Sequence, residues 1–176
     1  MATTKQATMG AVRQLATPTD LKPDDTAKVT EQINMLVADA FALYLKTKNY
    51  HWHMNGSHYR DYHLLLDEQG DQIFAMTDVL AERVRKIGGT TIRSIGHIAK
   101  LQRIEDDNAD YDSPLSMLQT LLNDNKEFTS NMRAAHEICD DANDVATTSI
   151  LELFIDETER RTWFLYETTI GAEHTS

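Results

Sequence analysis

Residues 57–87 read SHYRDYHLLLDEQGDQIFAMTDVLAERVRKI. Tyr62, Leu65, Leu66, Ile73, Met76, Leu80 and Val84 recur there at the spacing of one buried helix face. Asn55-Gly56 stands before the stretch and Gly88-Gly89 after it, and no proline interrupts it. Ser57 offers an N-cap and the glycine doublet a stop. The pattern predicts a helix from about Ser57 to Ile87.

The same period extends outward. Upstream, Val29, Ile33, Leu36, Val37, Ala40, Phe41 and Tyr44 step by three and four. They predict a helix from Thr26 to about Met54, capped by Asp24 or Asp25 and stopped by Asn55-Gly56. Downstream, Ser113-Pro114 places proline at a first helical position. A third helix then runs to about Cys139. Asp140 to Asp144 makes an acidic corner, and a fourth helix runs from about Val145 to Ile170, ended by Gly171. Between the second and third helices lies a looser stretch, Thr90 to Asp112, with a short helix expected at Ile92 to Leu101. Only three prolines and seven glycines punctuate the chain. The reading is an all-α four-helix bundle over residues 23–171, with a short extra helix in the long connection. That connection allows the second and third helices to run parallel. Residues 1–22 read as a flexible tail and residues 172–176 as a short C-terminal one.

Bulk properties narrow the function. With 176 residues the chain is one domain by length. No apolar run approaches the roughly 20 residues needed to span a bilayer, and Met1 to Pro18 lacks the apolar core of a secretory signal. A cytoplasmic protein is expected. Cys139 is the sole cysteine, which excludes an internal disulfide and a four-cysteine zinc site; it reads as core packing. The formal net charge of −11 disfavours nucleic acid and favours cations.

The second helix also carries His63, Asp67, Asp78 and Glu82. Each pair is four residues apart, and Asp67 and Asp78 differ by only about 20° around the axis. Eleven residues nevertheless separate them by about 16 Å along it. One metal centre with bonds near ~2 Å cannot draw on both pairs of one helix. A second copy resolves this. The residue numbers of His63 and Glu82, and of Asp67 and Asp78, have the same sum. Two identical antiparallel helices centred between Gln72 and Ile73 would therefore oppose both pairs and build two equivalent sites. Gly70, near that centre, is a candidate for close helix approach. An imidazole with several carboxylates suits iron or manganese. Spacing alone leaves open the plainer reading of a solvated acidic face. Just upstream, Lys48-Asn49-Tyr50-His51-Trp52-His53-Met54-Asn55-Gly56 closes the first helix. His51 and His53 point about 200° apart, so only one can face a given site.

That run, with His63, Leu66-Asp67, Asp78 and Ala81-Glu82-Arg83, resembles the Dps family, the mini-ferritins named as DNA-binding proteins from starved cells. The resemblance spans about residues 25–170. It implies a ferritin-like four-helix bundle assembled as a homododecamer through twofold and threefold contacts. It implies a dinuclear iron site at the twofold interface, with His51, His63 and Asp67 from one chain and Asp78 and Glu82 from the other. The implied activity is a ferroxidase that uses hydrogen peroxide or oxygen, stores ferric oxide in its cage and protects against oxidative damage. Trp52 matches a family tryptophan near that site. Asp140, Asp141 and Asp144 fall where the family's threefold pores admit cations, although helix capping explains them equally. His53, His58, His97, His136 and His174 read as structural or surface residues. DNA contact would rest on Lys5, Arg13 and Lys22, a mildly positive tail on a strongly negative body, and is the less favoured expectation. The alternative function is a nucleoid-associated DNA-compacting protein in which iron binding is secondary; a third is a bundle whose acids are merely solvated.

Overall fold

The computed structural model describes residues 15–170. Its order is α1 (Pro23–His53), α2 (Tyr59–Lys86), the short α3 (Ile95–Leu101), α4 (Pro114–Asp141) and α5 (Val145–Thr169). Each long helix lies within a few residues of its expected bounds.

The starts have local causes. Pro23 takes the first position of α1 with Lys22 as the capping residue, so Asp24 and Asp25 sit in the first turn rather than at the cap. There they face the positive end of the helix dipole. Ser113 caps α4 by accepting from the Ser116 amide. Ser57 does not cap α2; His58 stands there without a side-chain bond. The short helix begins at Ile95 rather than Ile92, because Ser94 is extended and accepts from the His97 amide at 3.2 Å. Gly88, with φ +89°, ends α2, and a Cβ there would lie 2.7 Å from the Thr17 carbonyl oxygen.

Cross-helix contacts set the directions. Lys46 meets Asp124, and Asn131 reaches Asp39, so α1 and α4 are antiparallel. Glu68 pairs with Arg160 and Arg83 donates to Thr147, so α2 and α5 are antiparallel. Arg133 pairs with Glu159 and His136 with Glu152, so α4 and α5 are antiparallel and α2 and α4 run parallel. The 87–113 connection makes this possible by traversing the bundle. It is fastened to α1: Arg103 binds Asp39 through its side chain and its amide, and the Tyr50 hydroxyl donates to Asp107 at 2.5 Å. α3 packs on α1.

Ile33, Leu36, Leu43, Leu66, Ile73, Leu80, Leu118, Phe128, Leu151 and Leu165 are all fully buried between the four long helices. Each such side chain contributes about 1.5–3 kcal/mol relative to exposure. Cys139 belongs to this core, and burial pushes its thiol up to about 12. Arg161 is the exception in chemistry: it is 1% exposed, and burial pulls its guanidinium down to about 10. It donates to Asn125 and Thr158, while its Nη1 has no partner among the described residues.

Candidate metal centre

α1 and α2 are joined by a tight loop through Gly56, so the last turn of one lies against the first turns of the other. This brings His51 and His63 together. Each ring nitrogen Nδ1 donates to the other residue's backbone carbonyl, both at 2.9 Å. The rings stack with centroids 3.7 Å apart. A carbonyl oxygen can only accept, so the proton of each neutral imidazole sits on Nδ1. Both Nε2 atoms then keep a free lone pair, the form a metal ligand requires. His51 is 7% exposed, so its ring is held before any ion arrives.

Asp67 follows one turn after His63. Its Oδ1 lies 3.7 Å from Nε2 of His51 and accepts from Lys48 Nζ at 2.7 Å. The Lys48 ammonium holds the Asp67 carboxyl below the usual carboxylate range. Gly70 has a different task from the one its place near the proposed twofold suggested. It faces α1 of its own chain, where a Cβ would meet Lys48 Cδ at 3.1 Å. The missing side chain gives the lysine stem its path to Asp67.

Asp78 and Glu82 lie further along α2, both exposed, and Glu82 pairs with Lys86 at 3.1 Å. Within one chain, no group of three or more histidine, cysteine or acidic side chains among the described residues can hold a metal ion. The five candidate ligands thus form two separate sets: His51, His63 and Asp67 at one end of α2, Asp78 and Glu82 towards the other. The surface between them is not a plain solvated face. Phe74 and Leu64 are 50% and 48% exposed on it, and a groove of about 740 Å³ beside Asp78 is lined by Phe41, Phe74, Ile92 and Ile95.

The other candidates separate in the same way. Trp52 is 60% exposed and makes no ring contact among the described residues. Asp140 and Asp141 are exposed at the end of α4. Asp144 is buried; it caps α5 through the Thr147 amide and hydroxyl and pairs with Arg83. Its carboxylate is therefore committed to capping rather than open to a pore. Lys22 is exposed at the start of α1, and Lys5 and Arg13 lie outside the described residues. Two residues beside the histidines had no assigned role, Lys48 and Tyr59. The Tyr59 ring stacks on His63 at 5.0 Å between centroids. Lys48 stood in the quoted run without a chemical reading, and nothing in the spacing marked Tyr59.

A ferritin-like domain matches residues 30–169, and the chain belongs to that family. Within it, the relatives and the structural neighbours place the chain among the Dps proteins. A low temperature-induced protein of a Nostoc species is 30% identical over 138 residues, covering 78% of this chain and 77% of its own. A DNA protection during starvation protein of Brevibacillus brevis is 29% identical over 133 residues, covering 76% of this chain and 89% of that one. DpsC from Streptomyces coelicolor superposes with a TM-score of 0.85 at 25% identity, covering 89% of this chain and 91% of that one. No helix among the described residues is long and apolar enough to cross a membrane.

Proposed function

We propose that this chain is a ferroxidase and iron-storage subunit whose reaction site is completed by a second copy. The observation that carries the reading is the division of the ligands. A histidine pair with free Nε2 atoms and one aspartate lie at one end of α2, and two exposed carboxylates lie about 16 Å away. The numbering symmetry about Gln72 and Ile73 opposes the two sets when α2 pairs antiparallel with its copy.

In such a site Asp67 and the second chain's Glu82 position take the first Fe(II), with His51 and His63 completing its shell. Asp78 orients the cluster by a hydrogen bond or holds a second ion. Two Fe(II) ions each give one electron. Hydrogen peroxide takes both with two protons and leaves as two waters; oxygen is the alternative acceptor. Two-electron reduction avoids hydroxyl radical, which is the protective value of the reaction. Ferric oxide then accumulates inside a hollow particle of twelve subunits, towards which the net charge of −11 draws cations. DNA binding is not favoured by that charge.

A complementation experiment tests the shared site. A His63→Ala/Asp67→Ala chain and an Asp78→Ala/Glu82→Ala chain should each assemble and lose rapid Fe(II) oxidation. Refolded as an equal mixture, half of the twofold pairs carry both kinds of chain and one intact site, so about a quarter of the parent activity returns. Silence in the mixture, or parent rates in either variant alone, overturns the shared site. Native mass gives the shell: about twelve times 20.0 kDa supports it and a monomer refutes it.

A further inference from the structure

Arg161 is a core cation without a carboxylate partner among the described residues. Its Nε donates to Asn125 Oδ1 at 3.0 Å, and its Nη2 to Thr158 Oγ1 at 2.6 Å and Met76 Sδ at 3.6 Å. Glu157 is the acid whose charge reaches it, and burial outweighs that pull. The guanidinium still stays protonated at neutral pH, because burial lowers it only to about 10. Burying a charge without its counterion is costly, and an apolar side chain of similar size would avoid that cost. The place of the charge relates it to the metal ligands. Met76 precedes Asp78 by two residues, and Gln69, whose Nε2 donates to the Arg161 carbonyl, follows Asp67 by two. Two residues turn a helix by about 200°. Arg161 therefore lies behind α2, with the ligand face on the opposite side and one helix thickness, about 10 Å, between them. That path is protein rather than water, so salt screens the charge little.

We infer that Arg161 weakens the hold of the shared site on its ferric product, acting through its charge from behind α2. The inference rests on the ferroxidase reading. Asp67, Asp78 and Glu82 bring negative charge to each site, and carboxylates hold Fe(III) more tightly than Fe(II). A site that keeps its product neither turns over nor feeds a store. A fixed positive charge opposes each ion in proportion to the charge of that ion. It costs Fe(III) half as much again as Fe(II), and so shifts the balance towards release of the oxidised ion. Arg161 touches neither the ions nor their ligands. Its contribution is a field, and that field depends on burial and on the lack of a counterion. A surface arginine, hydrated and screened, would exert little of it.

Calorimetry of Co(II) and Tb(III) binding to the assembled full-length particle tests this without turnover. Binding that is lost in His63→Ala/Asp67→Ala defines the shared site. Arg161→Met removes the charge at similar length. Asn125→Asp neutralises it in place by setting a carboxylate beside Nε, and it opens no cavity, so it gives the answer even where Arg161→Met fails to assemble. Arg161→Lys keeps the charge. Both neutral variants should bind Co(II) several-fold more tightly than the parent and Tb(III) by a larger factor, and the gain should persist in raised salt. Arg161→Lys should match the parent. Unchanged or weaker binding in the neutral variants overturns the inference, and so do equal gains for the two ions. A gain that Arg161→Lys shares overturns it too, because packing rather than charge would then be the cause. A parent in which neither ion occupies the shared site overturns the ferroxidase reading along with it.

Discussion

Two lysines two residues apart on α1 each reach an aspartate at 2.7 Å, and the pairs have little else in common. About 200° of helical rotation sends them to different neighbours. Lys46 turns into the seam with α4 and meets Asp124; the two side chains are 5% and 13% exposed. Lys48 turns towards α2, passes over Gly70 and meets Asp67; those side chains are 15% and 49% exposed. Identical partners at an identical distance thus do different work, and burial decides which. A pair open to water contributes little and exchanges readily. A buried pair cannot lose one member without stranding a charge. The first fastens the crossover end of the bundle, beside the Tyr50–Asp107 hydrogen bond. The second holds a ligand carboxylate charged and oriented while leaving it free to be taken by a cation.

The contrast breaks most visibly at Lys46. Lys46→Met should cost about 3–5 kcal/mol, because Asp124 stays behind without its ammonium. The thermal midpoint should fall by on the order of 10 °C. Replacing both partners with apolar residues, Lys46→Met with Asp124→Leu, should recover most of the loss. A single variant as stable as the parent would place the two pairs in the same class. Lys48→Met should lower the thermal midpoint only slightly, because the pair is open to water. Its effect belongs to the site: anaerobic Fe(II) binding, followed by calorimetry, should tighten several-fold because no ammonium must be displaced from Asp67. Weaker binding would make Lys48 a positioning residue rather than an exchangeable partner.

How much of this was legible in the sequence follows from what each feature depends on. The long helices were readable because apolar spacing and the stops at Gly56 and Gly88 are local signals. Ser113-Pro114 marked its helix start correctly for the same reason. The start of the short helix was misplaced because Ile92 looks helical by hydropathy, whereas Ser94 wins by capping. The split of the five candidate ligands into two sets was legible, since the rise per residue keeps Asp67 and Asp78 apart. Gly70 was visible as an anomaly, but its reason lies across a helix interface, in the stem of Lys48. The stack of Tyr59 on His63 and the reciprocal histidine–carbonyl bonds were out of reach for a similar reason. They depend on how two helices meet at a loop, which no spacing within one helix encodes. Arg161 was hidden more deeply, because an arginine in an amphipathic pattern reads as surface and this one is core.

The smallest expected effect sharpens the comparison furthest, because the two aspartates should drive stability in opposite directions with pH. Lys48 holds the Asp67 carboxyl below its ordinary value. Its contribution is present above that ordinary value and is lost as pH falls through the lowered one. Burial pushes the Asp124 carboxyl up, outweighing the opposing pull of Lys46. Between its ordinary and its raised value the folded chain keeps a proton that the unfolded chain has released, so stability declines as pH rises through that window. Urea midpoints of Asp67→Asn and Asp124→Asn, each compared with the parent from about pH 3 to about pH 6, separate the two. The advantage of the parent over Asp67→Asn should grow with pH at the acid end and then level off. Its advantage over Asp124→Asn should shrink at the upper end instead. Differences that run the same way would mean that burial does not distinguish the two pairs, and the division between a structural lysine and an exchangeable one would fail with them.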